Sequence, residues 1–156
     1  LITARIIGND LSILGAESWT SWVAVNQIAD MKGDGKDYSD GLLSATNGFS
    51  YYYIAKRYYA LLHFSKFIKI GATVLNTEYK SDNKLNIYTF MNPDGQKVAV
   101  IVNEGKAEDI AFATDATHCE IYSTTAKKEF HKDFSGDFNG TIHSKASSIT
   151  TVVLWK

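Results

Sequence analysis

Two tryptophans three residues apart, Trp19 and Trp22, are the side chains of this sequence best suited to binding a ligand. An indole ring is a flat apolar surface on which the apolar face of a ligand can pack while the ligand's polar groups seek polar neighbours. Asn26 and Gln27 follow and carry such polar groups, although capping of the next loop explains them equally well. A spacing of three places the two indoles on opposite faces of a strand, and burial in a core is the alternative for each.

Other residue types that could perform chemistry are not arranged for it. Asp34, Asp37 and Asp40 are spaced by three and lack the alternating spacing and the closing glutamate of a calcium loop, so a solvated loop is the better interpretation. The four histidines are dispersed, with no pair at metal-ligand spacing. Cys119 lies in an alternating pattern typical of a strand, which favours a small buried hydrophobic residue over a nucleophile.

Composition indicates a globular chain and excludes two classes of partner. The 156 residues are 45% hydrophobic and 21% charged, which is enough apolar material to bury a core. Formal net charge is -1 with scattered basic residues, so we expect no nucleic-acid partner, and no apolar run approaches the length of a membrane span. The single cysteine cannot form an internal disulfide. The sequence opens on Leu1 rather than Met, which suggests a processed, excised or incomplete polypeptide.

The first 70 residues predict a helix-strand-helix unit. Apolar residues at helical spacing predict a helix over Ile2–Leu14, and the Trp-, Thr- and Val-rich segment Ser18–Val25 predicts a buried strand. Glycine and aspartate dominate the long segment Asn26–Ser50, which predicts a loop, and long loops of this kind are often functional. An amphipathic helix is predicted over Tyr51–Ile68, with its tyrosines sealing it against its neighbours.

From Gly71 onward the hydrophobic period changes to two, which predicts strands. Leu85–Met91 and Lys97–Val102 flank a turn with Pro93 and Gly95, so they predict a hairpin. Further strands are predicted at Ala107–Ala113, His118–Ser123, Lys128–Phe134, Gly140–His143 and Ser148–Trp155. The sequence is therefore predicted to be mostly β: residues 71–156 as an antiparallel β-sandwich, preceded by the separate unit of residues 1–70.

Residues Trp19-Thr20-Ser21-Trp22 and the segment Lys56–Ile68, with Gly71 just after it, resemble the C-terminal part of glycoside hydrolase family 30. That family joins a (β/α)8 barrel to a side β-domain. The resemblance covers nearly the whole chain and implies that residues 1–70 are the last strand and helix of the barrel. Residues 71–156 would then be the side β-domain. Ile70 is a departure, since the family commonly has proline before this glycine.

The resemblance implies hydrolysis through a glycosyl-enzyme intermediate by two glutamates, both of which would lie upstream of Leu1. It therefore implies no catalytic residue in this chain, an inactive isolated chain and no cofactor or metal. Glu17 is a poor substitute, because it precedes the strand and catalytic groups follow the C-terminal ends of barrel strands. Trp22 resembles the family's pocket-lining tryptophan. With it, the substrate-binding candidates are Trp22, Asn26, Gln27, Tyr38 and Asp40.

The implied substrate is a β-linked polysaccharide or glycoconjugate such as xylan, 1,6-linked galactan or glucan, or glucosylceramide, and the family implies an extracellular location. The expected partners are that carbohydrate and either the remaining barrel or a second copy of the chain. The alternative is a stand-alone β-sandwich module that binds carbohydrate or another partner, with residues 1–70 as an appendage. Most aromatic residues of the β portion alternate with polar ones as core residues do, which favours a supporting domain.

Overall fold

A computed structural model describes residues 1–27, 40–46 and 50–156, and strands form most of its regular structure. The elements in chain order are α1 Ile2–Ser12, β1 Val25–Gln27, β2 Leu43–Ala45, β3 Tyr52–Ile54, α2 Lys56–Ser65, β4 Thr73–Leu75, β5 Leu85–Met91, β6 Lys97–Asn103, β7 Glu108–Ala111, β8 His118–Thr125, β9 His131–Asp137, β10 Thr141–Ser144 and β11 Ser148–Trp155. The mostly β fold class predicted from the sequence is confirmed. None of the described helices is long and apolar enough to cross a membrane.

The sandwich is built on a six-stranded sheet with the order β4-β5-β6-β11-β8-β9, in which all neighbours are antiparallel. A two-stranded antiparallel sheet of β10 and β7 covers part of one face. The predicted hairpin of β5 and β6 is present, and Gly95 in its turn has a φ of +83°, a conformation that glycine adopts without strain. This local chemistry favours the observed register between β5 and β6.

Each face of the six-stranded sheet carries its own apolar core, as alternating strand residues require. The helix-side core lies under α1 and α2 and contains Ala4, Ile7, Ala60, Phe64, Tyr88, Phe90, Val98, Val100, Val102 and Ile149. The sheet-side core lies under β7 and β10 and contains Leu85, Ile87, Ala99, Ile101, Cys119, Ile142, Val152 and Leu154. Residues from both predicted portions of the chain therefore share the helix-side core. Cys119 is buried, as the sequence predicted.

The strand predicted over Ser18–Val25 is wrong in its bounds. In the structure, residues 17–24 form no regular element, and β1 begins only at Val25, where its backbone pairs in parallel with β2. A strand requires a ladder of hydrogen bonds to a neighbour, and in the described residues the ladder with β2 begins only at Val25. The loop predicted over Asn26–Ser50 is corrected by the same pairing, because it contains β1 and β2.

The helix predicted over Tyr51–Ile68 is also corrected. Ala55 has an extended backbone, and α2 begins only at Lys56 and ends at Ser65. Tyr52–Ile54 instead form β3, whose backbone pairs with β2 in the antiparallel direction. Strand pairing with β2 thus overrides the helical spacing of the apolar residues. The first helix, by contrast, is confirmed to within its last two residues.

Candidate functional site

A small three-stranded sheet, β1-β2-β3, positions the residues that the sequence singled out. Its parallel pair aligns Asn26 with Ser44, and the backbone contact continues outward, since the Leu42 N–H donates to the Val23 carbonyl at 3.1 Å. Gly41 makes this approach possible, because a Cβ atom at that position would lie 2.8 Å from the Asn26 nitrogen. The segment around Trp22 and the segment around Asp40 are thereby brought side by side.

The two tryptophans have different environments, although no strand holds them on opposite faces. Trp19 is half-buried against the helix-side core, and its Nε1 donates a hydrogen bond to Oδ2 of Asp10 at 3.0 Å. Trp22 is 91% exposed, and its peptide bond to Val23 is cis. Trp22 therefore presents an open indole ring at the border of the three-stranded sheet, whereas Trp19 anchors this segment to α1.

The polar candidates differ in how they are placed. Asn26 is half-buried in β1, and Gln27 next to it is exposed. Asp40 is exposed, and its Oδ1 lies 3.5 Å from Nη1 of Arg57 at the start of α2. Tyr38 lies outside the described residues. Four of the five candidates therefore belong to β1, β2 or the residues just before these paired strands.

Two exposed tyrosines extend this surface, and sequence reasoning missed them. Tyr51 and Tyr52 are 77% and 70% exposed, whereas the predicted helix had them sealed against its neighbours. Neither tyrosine is in a helix, because Tyr51 precedes β3 and Tyr52 begins it. Strand β3 lies at the edge of the three-stranded sheet, and every residue of this strand is exposed. The signal that could have located them was the run of three tyrosines directly after a long loop, a pattern as compatible with a strand as with a helix.

Two of the described glutamates, Glu120 and Glu108, have hydrogen-bond partners that suit a structural role. Glu120 accepts hydrogen bonds from Lys132, Tyr122 and Ser135, and those of Lys132 and Tyr122 are the main cause of its lowered pKa. Glu108 accepts from the Ser81 hydroxyl at 2.9 Å. A glycosidase acid needs a raised pKa, so partners of this kind suit a structural role. Among the described residues, no three His, Cys, Asp or Glu side chains are grouped so as to hold a metal ion.

Comparison with protein families identifies the class. Residues 71–152 match the model of the glycosyl hydrolase family 30 beta sandwich domain, so this chain belongs to glycoside hydrolase family 30. The resemblance found in the sequence is thereby confirmed. The division of the chain between residues 70 and 71 remains a prediction.

Solved structures share the fold over almost the whole chain. The catalytic domain of xylanase C from Talaromyces cellulolyticus superposes with a TM-score of 0.81 at 23% identity, covering 99% of this chain and 34% of that one. A conserved exported protein from Bacteroides fragilis gives a TM-score of 0.76 at 24% identity over 98% of this chain and 33% of that one. At such identities the likeness shows the fold alone.

Curated relatives are longer than this chain. A putative glucosylceramidase 1 from Caenorhabditis elegans is 35% identical over 96 residues, which cover 55% of this chain and 17% of that protein. An endo-1,6-beta-D-glucanase from Aspergillus fumigatus is 29% identical over 156 residues, covering 93% of this chain and 28% of that protein. The match therefore spans less than a third of either relative. None of these similarities supports the stand-alone module that was the alternative interpretation.

Proposed function

We propose that this chain is the C-terminal portion of a retaining β-glycoside hydrolase that acts on a β-linked polysaccharide or glycoconjugate. Xylan, 1,6-linked galactan or glucan, and glucosylceramide are the substrate candidates. The names of the relatives, a xylanase, a 1,6-glucanase and a glucosylceramidase, support this class without selecting one substrate. Residues of the first seven barrel strands, outside this chain, would supply the two catalytic glutamates, so the isolated chain would be inactive.

The observation that carries this proposal is the exposure of Trp22 in a chain of this family. A tryptophan left 91% exposed is unusual, because burial of an indole removes a large apolar area from water. Stacking of a sugar ring on its face would recover that free energy. Asn26 and Gln27 lie in β1 and Asp40 lies just before β2, so we propose that their polar groups, with that of Tyr38, bind the hydroxyl groups of the sugar.

In this proposal the chain forms one wall of the substrate cleft, and the sandwich stabilises the barrel through α2. The helix-side core supports this role, since α1 and α2 pack on the six-stranded sheet and share its apolar residues. Residues 1–70 would contribute the last strand and helix of the barrel. An extracellular location belongs to the same proposal and rests on the family alone.

The test begins with the coding DNA upstream of Leu1, which should encode the first seven barrel strands and two glutamates. The full-length product is then assayed on xylan, 1,6-β-glucan and glucosylceramide beside the 156-residue chain. We expect the full-length protein alone to hydrolyse one of them. Hydrolysis by the 156-residue chain, or an upstream sequence without barrel strands, would overturn the proposal.

Variants of the full-length protein test the wall of the cleft. Trp22→Ala should lower kcat/KM on the best substrate by about tenfold or more, because the lost stacking is worth about 1.4 kcal/mol. Phe134→Ala is the matched control, since Phe134 is an exposed aromatic residue of the described chain on β9, at the far edge of the sandwich. An equal loss of kcat/KM in the two variants would show that Trp22 does not contact the substrate.

A further inference from the structure

A second exposed aromatic residue, Tyr79, lies on the sandwich at the edge of the six-stranded sheet. Strand β4 ends at Leu75 and pairs only with residues Thr89–Met91 of β5. The outer edge of β5 from residue 85 to residue 88 therefore has no strand beside it in the described chain. Residues 76–79 continue past this edge without forming a strand. The Tyr79 hydroxyl donates a hydrogen bond to the Leu85 carbonyl at 2.7 Å. This bond fixes a ring that is 44% exposed.

Two clefts of about 310 Å³ each lie on either side of this segment, and Tyr79 lines both. The first is bounded by the end of α1 and by Asn86 and Tyr88 of β5. The second continues between β5 and the segment after β7, with Thr89, Lys97, Ile110, Phe112 and Thr114 among its lining residues. Pockets of this size admit small ligands, and together the two provide a path across the Tyr79 ring.

Polar side chains without internal partners surround the ring. None of the hydrogen bonds or ion pairs within the described residues uses the side chains of Asn76, Glu78 or Asn86, which line the clefts or neighbour the ring. Two amides and a carboxylate offer both donors and acceptors to a ligand. A fixed aromatic face with uncommitted donors and acceptors beside it is the chemistry that a sugar requires, because its C–H face packs and its hydroxyls pair.

We propose that Tyr79 and the clefts on its two sides bind a β-linked oligosaccharide, with a sugar ring on the tyrosine and its hydroxyl groups on Asn76, Glu78 and Asn86. The site goes beyond the proposed function, which places substrate at Trp22. Only the choice of sugar rests on that function. A polysaccharide held at Tyr79 would keep the enzyme on its substrate between cleavage events, since a second contact raises the effective concentration of the chain.

An added peptide strand is the other ligand that a free sheet edge can attract. Here residues 76–79 already lie beside β5, and the Leu85 carbonyl already accepts a hydrogen bond from the Tyr79 hydroxyl. Strand addition would break that hydrogen bond and displace the segment. The geometry therefore favours a ligand that lies on the ring over one that pairs with the backbone.

The test measures binding of 1,6-β-linked glucohexaose and 1,4-β-linked xylohexaose to the 156-residue chain by calorimetric titration. A Trp22→Ala background removes the other candidate site. In that background we expect one of the two probes to bind, and Tyr79→Ala to weaken it about tenfold or more. Tyr79→Phe should bind within about twofold of its parent, because the ring remains.

Phe134→Ala is the matched control, since Phe134 is 45% exposed and lies on β9 at the opposite edge of the same sheet. It should leave binding unchanged. Asn76→Ala provides a second probe of the site that does not alter the ring, and it should weaken binding severalfold even if Tyr79→Ala disturbs the local fold. Circular dichroism of each variant verifies that the sandwich is intact.

Two results would overturn the proposal. One is no binding of either probe at about 10 mM, a concentration that fills sites of millimolar affinity. The other is equal binding by the Tyr79→Ala, Asn76→Ala and Phe134→Ala variants. Because this measurement needs no catalysis, it is separate from the hydrolysis assay of the full-length protein. If the full-length protein hydrolyses no substrate but binding still depends on Tyr79, the proposed enzymatic function is rejected and the Tyr79 site is retained.

Discussion

His63 is a titratable side chain buried completely between α2 and the six-stranded sheet. Its Nδ1 lies 2.8 Å from Oγ1 of Thr151 and its Nε2 lies 2.9 Å from Oγ1 of Thr124. The Thr151 hydroxyl donates to the His63 carbonyl, so its oxygen is free to accept from the ring N–H, and the other ring nitrogen accepts from Thr124. A neutral imidazole satisfies this arrangement, and burial lowers the pKa of His63 from 6.5 to about 3.

This burial makes the stability of the domain sensitive to acid. The unfolded chain binds a proton at His63 below about pH 6.5, whereas the native state binds it only near pH 3, so stability falls as the pH drops between these values. Lowering the pH from 7 to 5 should therefore reduce the unfolding free energy by about 2 kcal/mol through His63. Urea unfolding at both pH values measures it, and His63→Gln should remove this part of the dependence.

Histidines on the surface provide the control for this prediction. His118→Gln replaces an exposed histidine and should retain the loss of stability between pH 7 and pH 5. An unchanged pH dependence in His63→Gln would contradict the assignment, whatever the stability of that variant at neutral pH.

Helix α1 packs closely on the sandwich at one glycine. A Cβ atom at Gly8 would lie 2.2 Å from Cε2 of Tyr88, whose hydroxyl donates to Oδ1 of Asn9 at 2.7 Å. Alanine is the better helix former, so Gly8→Ala would stabilise α1 if the helix stood alone. In the folded chain we expect it to lower the unfolding free energy by about 1–3 kcal/mol, because the buried Tyr88 ring must move.

Thermal unfolding of Gly8→Ala and of Gly8→Ala with Tyr88→Val separates the two effects. The smaller side chain makes room for the methyl group, so the cost of Gly8→Ala should shrink in the Tyr88→Val background. An equal cost in both backgrounds would show that α1 does not approach β5 in this way.

The elements that could be predicted from the sequence are those whose determinants are local. The β5–β6 hairpin has both its strands and its turn residues within one short segment, and α1 has a complete apolar stripe. Ser18–Val25 and Tyr51–Ile54 failed for the opposite reason, because their conformation depends on pairing with β2 or on the lack of a partner. The residue pattern within a segment does not indicate which other segment will pair with it.

The same distinction applies to the candidate sites. Trp22 could be singled out by residue type and by its position after Trp19, and the structure adds only its exposure. Tyr79 could not be singled out, because in the sequence it alternates with polar residues as the aromatic residues of the strands do. What distinguishes it is that β4 ends at Leu75 and leaves part of β5 uncovered, which is a property of the assembled sheet.

At the scale of the whole molecule, a well-packed sandwich adjoins a surface of exposed apolar side chains. The helix-side core joins α1 and α2 to the sheet, so residues before and after residue 70 are held together. Tyr51 and Tyr52 remain largely exposed on and beside the three-stranded sheet, and Ile70 is fully exposed. Such exposed patches mark surfaces that another body of protein covers. The proposed function makes the rest of the barrel that body.

Without the rest of the barrel, the 156-residue chain should associate with itself through this surface. Sedimentation velocity over a range of concentrations should show a mass that increases with concentration, because each buried tyrosine removes a large apolar area from water. The double variant Tyr51→Ser with Tyr52→Ser should weaken association about tenfold or more, whereas Phe134→Ser should not. A chain that stays monomeric at every concentration would show that this surface is stable in water and would remove the need for a covering partner.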